Sequence, residues 1–69
     1  MENRFGDLIR KARKENGLTQ KALGLLCGYD EKSAERVVQL WEAEKQPVPI
    51  TKLRKLAEVL GLTLDDLIP

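Results

Sequence analysis

Histidine is missing from the sequence and cysteine occurs once. A single cysteine cannot bridge within the chain, and without histidine the usual zinc-ligand patterns are out of reach, so neither a disulfide nor a metal is expected to hold the fold. Long apolar runs are missing as well. None approaches the roughly 20 residues of a membrane span or the roughly 7 to 15 of a signal-peptide core. A lone thiol without such segments fits a reducing compartment, and the cytoplasm is the expected location. Chain length is the remaining scarcity. Sixty-nine residues make one domain at most, expected to span residues 1–69, with too little volume for an enzyme-sized cavity beside the core. A binding module without cofactor is the expectation, and enzymatic activity is not.

What is present describes a folded domain. The chain is 42% hydrophobic and 33% charged, whereas a disordered segment would hold fewer Leu, Ile and Val. A net charge of +1 argues neither for nor against a nucleic-acid partner, but its distribution is uneven. Residues 1–29 balance to +3, residues 30–46 to −2 and residues 47–69 to zero. The positive field expected of a phosphate-binding surface is therefore weak and lies mainly on the first helix.

Apolar positions recur at helical spacing along the whole chain. Phe5, Leu8, Ile9 and Ala12 predict a first helix from about Arg4 to Asn16, capped by Asn3, closed by Gly17, with Arg10, Lys11, Arg13 and Lys14 on a solvated basic face. Thr19 caps a short second helix carrying Ala22, Leu23, Leu26 and Cys27 and ending at Gly28. Asp30 is placed to cap a third, with Glu31 in its first turn, an inward stripe of Ala34, Val37, Val38 and Trp41, and an end near Glu44. Prolines at 47 and 49 make the next segment a loop. Ile50, Leu53, Leu56, Ala57 and Leu60 predict a fourth helix stopped by Gly61. Thr63 caps a fifth of about one turn, with Asp65 and Asp66 near its positive end. Five helices without strands make a compact all-α bundle.

The segment GLTQKALGLLCGY resembles the opening of the helix-turn-helix in the phage repressor and Cro type of DNA-binding domain, the XRE family. Gln20 stands where that motif's first helix begins. Gly24 stands where the two helices cross closely, and Gly28 in the turn. A residue with no side chain lets two helix backbones approach, and glycine enters the left-handed region without strain. WEAEKQPVP resembles the end of the family's recognition helix and its loop, ITKLRKLAEVLGLTLDDLI its fourth and fifth helices, and FGDLIRKARKENGLTQ its start. The resemblance implies a five-helix, lambda-repressor-like domain. Between Gly28 and Trp41 the chain has about four residues more than the family's usual spacing, close to the 3.6 residues of one helical turn. A third helix about one turn longer than usual is therefore expected.

What the resemblance implies for function is sequence-specific binding of a double-stranded DNA operator by a transcriptional regulator, a repressor by preference, with the third helix in the major groove. Counting from Gly28 puts the groove-facing positions near Glu31, Lys32 and Arg36; counting back from Trp41 puts them near Glu35, Arg36 and Leu40. Arg36 falls in both. Arginine can hold guanine O6 and N7 with two hydrogen bonds, glutamine can hold adenine N6 and N7, and glutamate can accept from cytosine N4. The candidate base readers are Arg36, Lys32, Ser33, Gln39 and Glu35. Each is equally at home in an ordinary solvated helix face, with ion pairs such as Lys32 to Glu35 or Arg36 to Glu31, and capping alone accounts for Glu31.

Thr19 and Gln20 stand at a helix N-terminus, where free backbone N–H groups attract phosphate. Lys21, Lys45 and Lys52 are the further candidates for phosphate contact. The spacing of Trp41 makes it a core residue, Cys27 reads as a buried thiol, and adjacent Asp65 and Asp66 point apart around their helix. By resemblance a homodimer on a two-fold symmetric site is expected. Leu64, Leu67, Ile68 and the loop around Val48 are its apolar contact candidates, though each could equally complete the monomer core. The acidic balance of residues 30–46 leaves a second reading open. In it the fold is a protein-interaction module or antitoxin component with a partner such as a toxin, and DNA binding is weak or absent.

Overall fold

The computed structural model describes residues 5–67. Within them the chain forms five helices, α1 (Phe5–Glu15), α2 (Gln20–Leu26), α3 (Ala34–Glu42), α4 (Ile50–Leu60) and α5 (Leu64–Leu67), and no strand. The expected cap at Asn3 and the contact at Ile68 lie outside the described residues. Ile9, Leu23, Val38, Trp41 and Leu56 are fully buried and form the centre of one core, with Ala12, Cys27, Val48, Ala57, Leu60 and Leu67 around them. Each helix contributes the stripe that its period of 3.6 places on one face.

Local chemistry ends the helices where the sequence placed the ends. The Thr19 hydroxyl accepts a hydrogen bond from the Ala22 N–H at 3.0 Å, capping α2. Gly61, at φ 71°, closes α4. At α5 the cap is reciprocal, because Thr63 Oγ1 accepts from the Asp66 N–H at 3.2 Å while Asp66 Oδ2 accepts from the Thr63 N–H at 2.9 Å. This capping box satisfies two helix-end donors at once.

The third helix differs from expectation. It begins at Ala34, four residues beyond Asp30, and spans nine residues. Asp30 does cap, but what it caps is a separate turn. Its Oδ1 accepts from the Ser33 N–H at 3.0 Å and its carbonyl from the Ala34 N–H at 2.8 Å. Ser33 then departs from ideal helical torsions, at φ −107° and ψ −24°. The additional residues of this chain therefore lengthen the connection, Cys27 to Ser33, and not the helix. Gly24 permits the crossing at the start of α3: a Cβ there would lie 2.3 Å from the Ala34 carbonyl oxygen, so α2 and the first residue of α3 touch backbone to backbone.

Three further expectations are corrected by burial. Leu26 and Ile50, placed on inward stripes by spacing, are 48% and 86% exposed. Leu26 lies at the edge of a stripe centred on Leu23 and Cys27, and Ile50 opens α4 before that helix reaches the rest of the core. Arg13, expected on a solvated face, is buried. Of the residues open to either a dimer contact or the monomer core, Val48 and Leu67 belong to the core.

Candidate nucleic-acid interface

The inward face of α3 consists of Ala34, Val38 and Trp41, all fully buried. One hundred degrees per residue then puts Glu35, Arg36 and Gln39 on the opposite side, and all three are exposed. Arg36 and Gln39 are three residues apart and share a face. Leu40, at its border, is half-buried. Lys32 is exposed and Ser33 half-buried in the turn that precedes the helix, beside exposed Glu31. Of the two counts of groove-facing positions, the one from Trp41 falls wholly on α3, while Glu31 and Lys32 stand before it.

The five residues considered for phosphate contact divide into two sets. Thr19 is exposed at the start of α2, Lys21 is exposed on the same turn, and Lys45 is exposed in the loop after α3. Lys21 Nζ approaches Glu31 Oε1 at 3.6 Å, an exposed ion pair across the connection. Such a pair contributes little, about 0–1 kcal/mol. Gln20 and Lys52 are both half-buried and turned toward protein. Gln20 Nε2 donates to Glu42 Oε1 at 3.2 Å, and Lys52 Nζ sits 5.1 Å from the centroid of the Tyr29 ring.

The network that receives Gln20 was not anticipated. Arg13 Nε donates to Glu42 Oε2 at 2.6 Å and Nη2 to Glu42 Oε1 at 3.2 Å, while Nη1 donates to the Leu18 carbonyl at 2.9 Å. One guanidinium thus ties α1, the α1–α2 connection and the end of α3 together. The signal was in the sequence. Arg13 stands four residues after Ile9 and Glu42 four after Val38, so each charge falls on its helix's inward stripe. A charge placed there is paired or costly.

Tyr29 is the second residue that sequence patterning missed, because it lies in a connection with no period to report it. Its N–H donates to the Gly24 carbonyl at 3.1 Å. Its ring meets Trp41 edge to face, 5.7 Å between centroids at 69°. Burial pushes the Tyr29 hydroxyl above its ordinary value, helped by Cys27. Burial also raises the Cys27 thiol, with Lys52 and Lys55 pulling it partly back. A buried thiol held protonated is a packing group and not a nucleophile. Gly28, at φ 100°, supplies the left-handed step between these two side chains.

Among the described residues no group of three or more Cys, Asp or Glu side chains is arranged to hold a metal ion. No described helix is long and apolar enough to cross a membrane.

Two short helices crossing at a glycine, the second turning a polar face to solvent within a five-helix bundle, define a helix-turn-helix domain. The helix-turn-helix family of the XRE, Cro and C1 type matches residues 9–67, and the chain belongs to it. It is a DNA-binding domain of a family that is generally not enzymatic. Comparison with curated proteins and with solved structures gives no match.

Proposed function

We propose that this chain acts as one helix-turn-helix module, a cytoplasmic transcriptional repressor that reads a double-stranded operator by laying α3 in the major groove. The observation that carries this reading is the division of α3 into two faces. Trp41 and Val38 fix one face in the core, and Glu35, Arg36 and Gln39 stand exposed on the other. Among the described residues Arg36 has no ion-pair partner, since Glu31 pairs with Lys21. Arg36 and Gln39 are the leading base readers, joined by Glu35, with Lys32 and Ser33 entering from the turn. Thr19, Lys21 and Lys45 supply phosphate contacts that set orientation.

A homodimer on a two-fold symmetric site completes the proposal, because two copies of α3 then meet successive major grooves about 34 Å apart. Ile50 at 86% and Leu64 at 39% exposure line a shared groove with Thr51, Leu53 and Arg54, which offers apolar surface for the second copy. The reading as a partner-binding module, with a toxin as one such partner, is favoured by a specific feature. Residues 30–46 carry a −2 balance around the same helix.

Binding of a mixed-sequence duplex across a salt series separates the two. A DNA reader loses affinity steeply with salt, with a slope near 0.9 per phosphate neutralised. A module that has lost DNA binding gives no retention even at about 20 mM salt, where phosphate attraction is strongest.

A further inference from the structure

The connection between α2 and α3 runs from Cys27 to Ser33, seven residues, where a helix-turn-helix turn commonly has about 3–4. A longer connection leaves the relative placement of two helices less constrained unless side chains restrain it. Here Tyr29 supplies the restraint. Trp41 packs against its ring edge to face, and the Lys52 ammonium lies over it at 5.1 Å. Gly28 leaves room for this approach, since a Cβ at that position would stand 3.3 Å from Nζ and the lysine would have to give by a few tenths of an ångström. One lysine of α4 therefore ties the α2–α3 connection to the helix that follows the recognition helix.

We propose that Lys52 is a positioning residue for α3, acting through the Tyr29 ring, and not a phosphate contact. The proposal deepens the operator-reading function and rests on it in its DNA half. Its structural half stands on the protein alone. A cation over an aromatic face is attracted by the ring's negative face, and arginine satisfies that geometry as well as lysine does. A phosphate contact has another signature, since losing it lowers the salt slope by about 0.9 and weakens all sequences alike. Loss of a positioning contact leaves the slope in place and narrows the gap between the right sequence and a wrong one.

The test uses the full chain with Lys52→Met, Lys52→Arg, Tyr29→Leu and the Lys52→Met/Tyr29→Leu double variant, each checked for cooperative thermal unfolding. Near-ultraviolet circular dichroism of the DNA-free protein reads the Tyr29–Trp41 pair. Lys52→Met is expected to change that spectrum and Lys52→Arg to preserve it. Binding is then measured to a duplex selected from a random library and to its scrambled counterpart across a salt series. Lys52→Met is expected to reduce discrimination about two- to five-fold with an unchanged slope, and to add nothing in the Tyr29→Leu background. An unchanged spectrum in Lys52→Met overturns the proposal, as does a slope lowered by about one with discrimination intact. If the wild-type protein selects no duplex, the operator reading fails, while the spectra still decide whether Lys52 holds the connection.

Discussion

Arg13 and Glu42 face each other across the junction of α1 and α3, joined by two hydrogen bonds of 2.6 and 3.2 Å, with side chains only 10% and 6% exposed. This bidentate pair fixes the last residue of the proposed recognition helix to the first helix of the domain. Removing one member strands the other charge in a poorly solvated site, which costs about 3–5 kcal/mol, whereas replacing both by apolar residues of similar volume is far less damaging. Arg13→Met is therefore expected to lower the urea midpoint sharply, and Arg13→Met/Glu42→Leu to recover a large part of the loss. Equal midpoints for the Arg13→Met variant and the wild type would show that the pair contributes nothing.

Gly24 permits the crossing of α2 and α3. A Cβ there meets the Ala34 backbone at 2.3 Å, and backbone cannot rotate away as a side chain can. Overpacking of this kind costs about 1–3 kcal/mol, which in a domain of this size lowers Tm by roughly 5–20 °C. Gly24→Ala is expected to fall in that range by thermal unfolding. Gly17→Ala makes an informative contrast, since a Cβ at that position meets nothing within 4 Å and only the φ of 68° opposes it.

Burial raises the Cys27 thiol from its ordinary value of 9.0, so the native state holds that proton more tightly than the unfolded chain. Its contribution is fully present below pH 9.0 and is lost as pH rises from there through the raised folded value. The Tyr29 hydroxyl, raised from 10.0, adds a loss in the same direction at higher pH. Stability is expected to fall as pH rises above 9.0, and to fall less in Cys27→Ala. An identical fall in the variant would remove the thiol from the account.

Ile50 is 86% exposed, so changing it should leave the monomer's core intact. If the groove beside it receives a second copy, Ile50→Glu introduces two like charges at a symmetric contact. Sedimentation of the variant on palindromic DNA should then show one bound protomer where the wild type shows two. Two bound protomers in both would place the dimer contact elsewhere.

Most of the fold was legible because helical period, caps and glycines agreed with one another. Thr19, Gly24, Gly28, Gly61 and Thr63 each signalled a local requirement that the structure meets. The start of α3 was not legible, because Asp30 is an effective cap for a turn or for a helix. The break shows in the torsions of Ser33, which the sequence does not report. Ile50 shares the period of its helix, and period alone does not tell where a helix projects beyond its neighbours. Arg13 and Glu42 were each visible as charges on an apolar stripe, but their pairing needs the two stripes to be brought together. Tyr29 carries no periodic signal at all. Of the proposed base readers, the sequence already singled out Arg36, and the start of α3 at Ala34 places Glu35 and Gln39 with it on one exposed face.

Selection from a random duplex library at about 100 mM salt decides whether the exposed face of α3 reads base edges. The wild-type protein, Arg36→Ala and Gln39→Ala are compared under the same conditions. The expected result is a two-fold symmetric motif in which Arg36→Ala relaxes one guanine position in each half-site and Gln39→Ala relaxes a different one, each by about 1–3 kcal/mol. Selection of the same motif at the same stringency by all three proteins, or of none by the wild type, would contradict it.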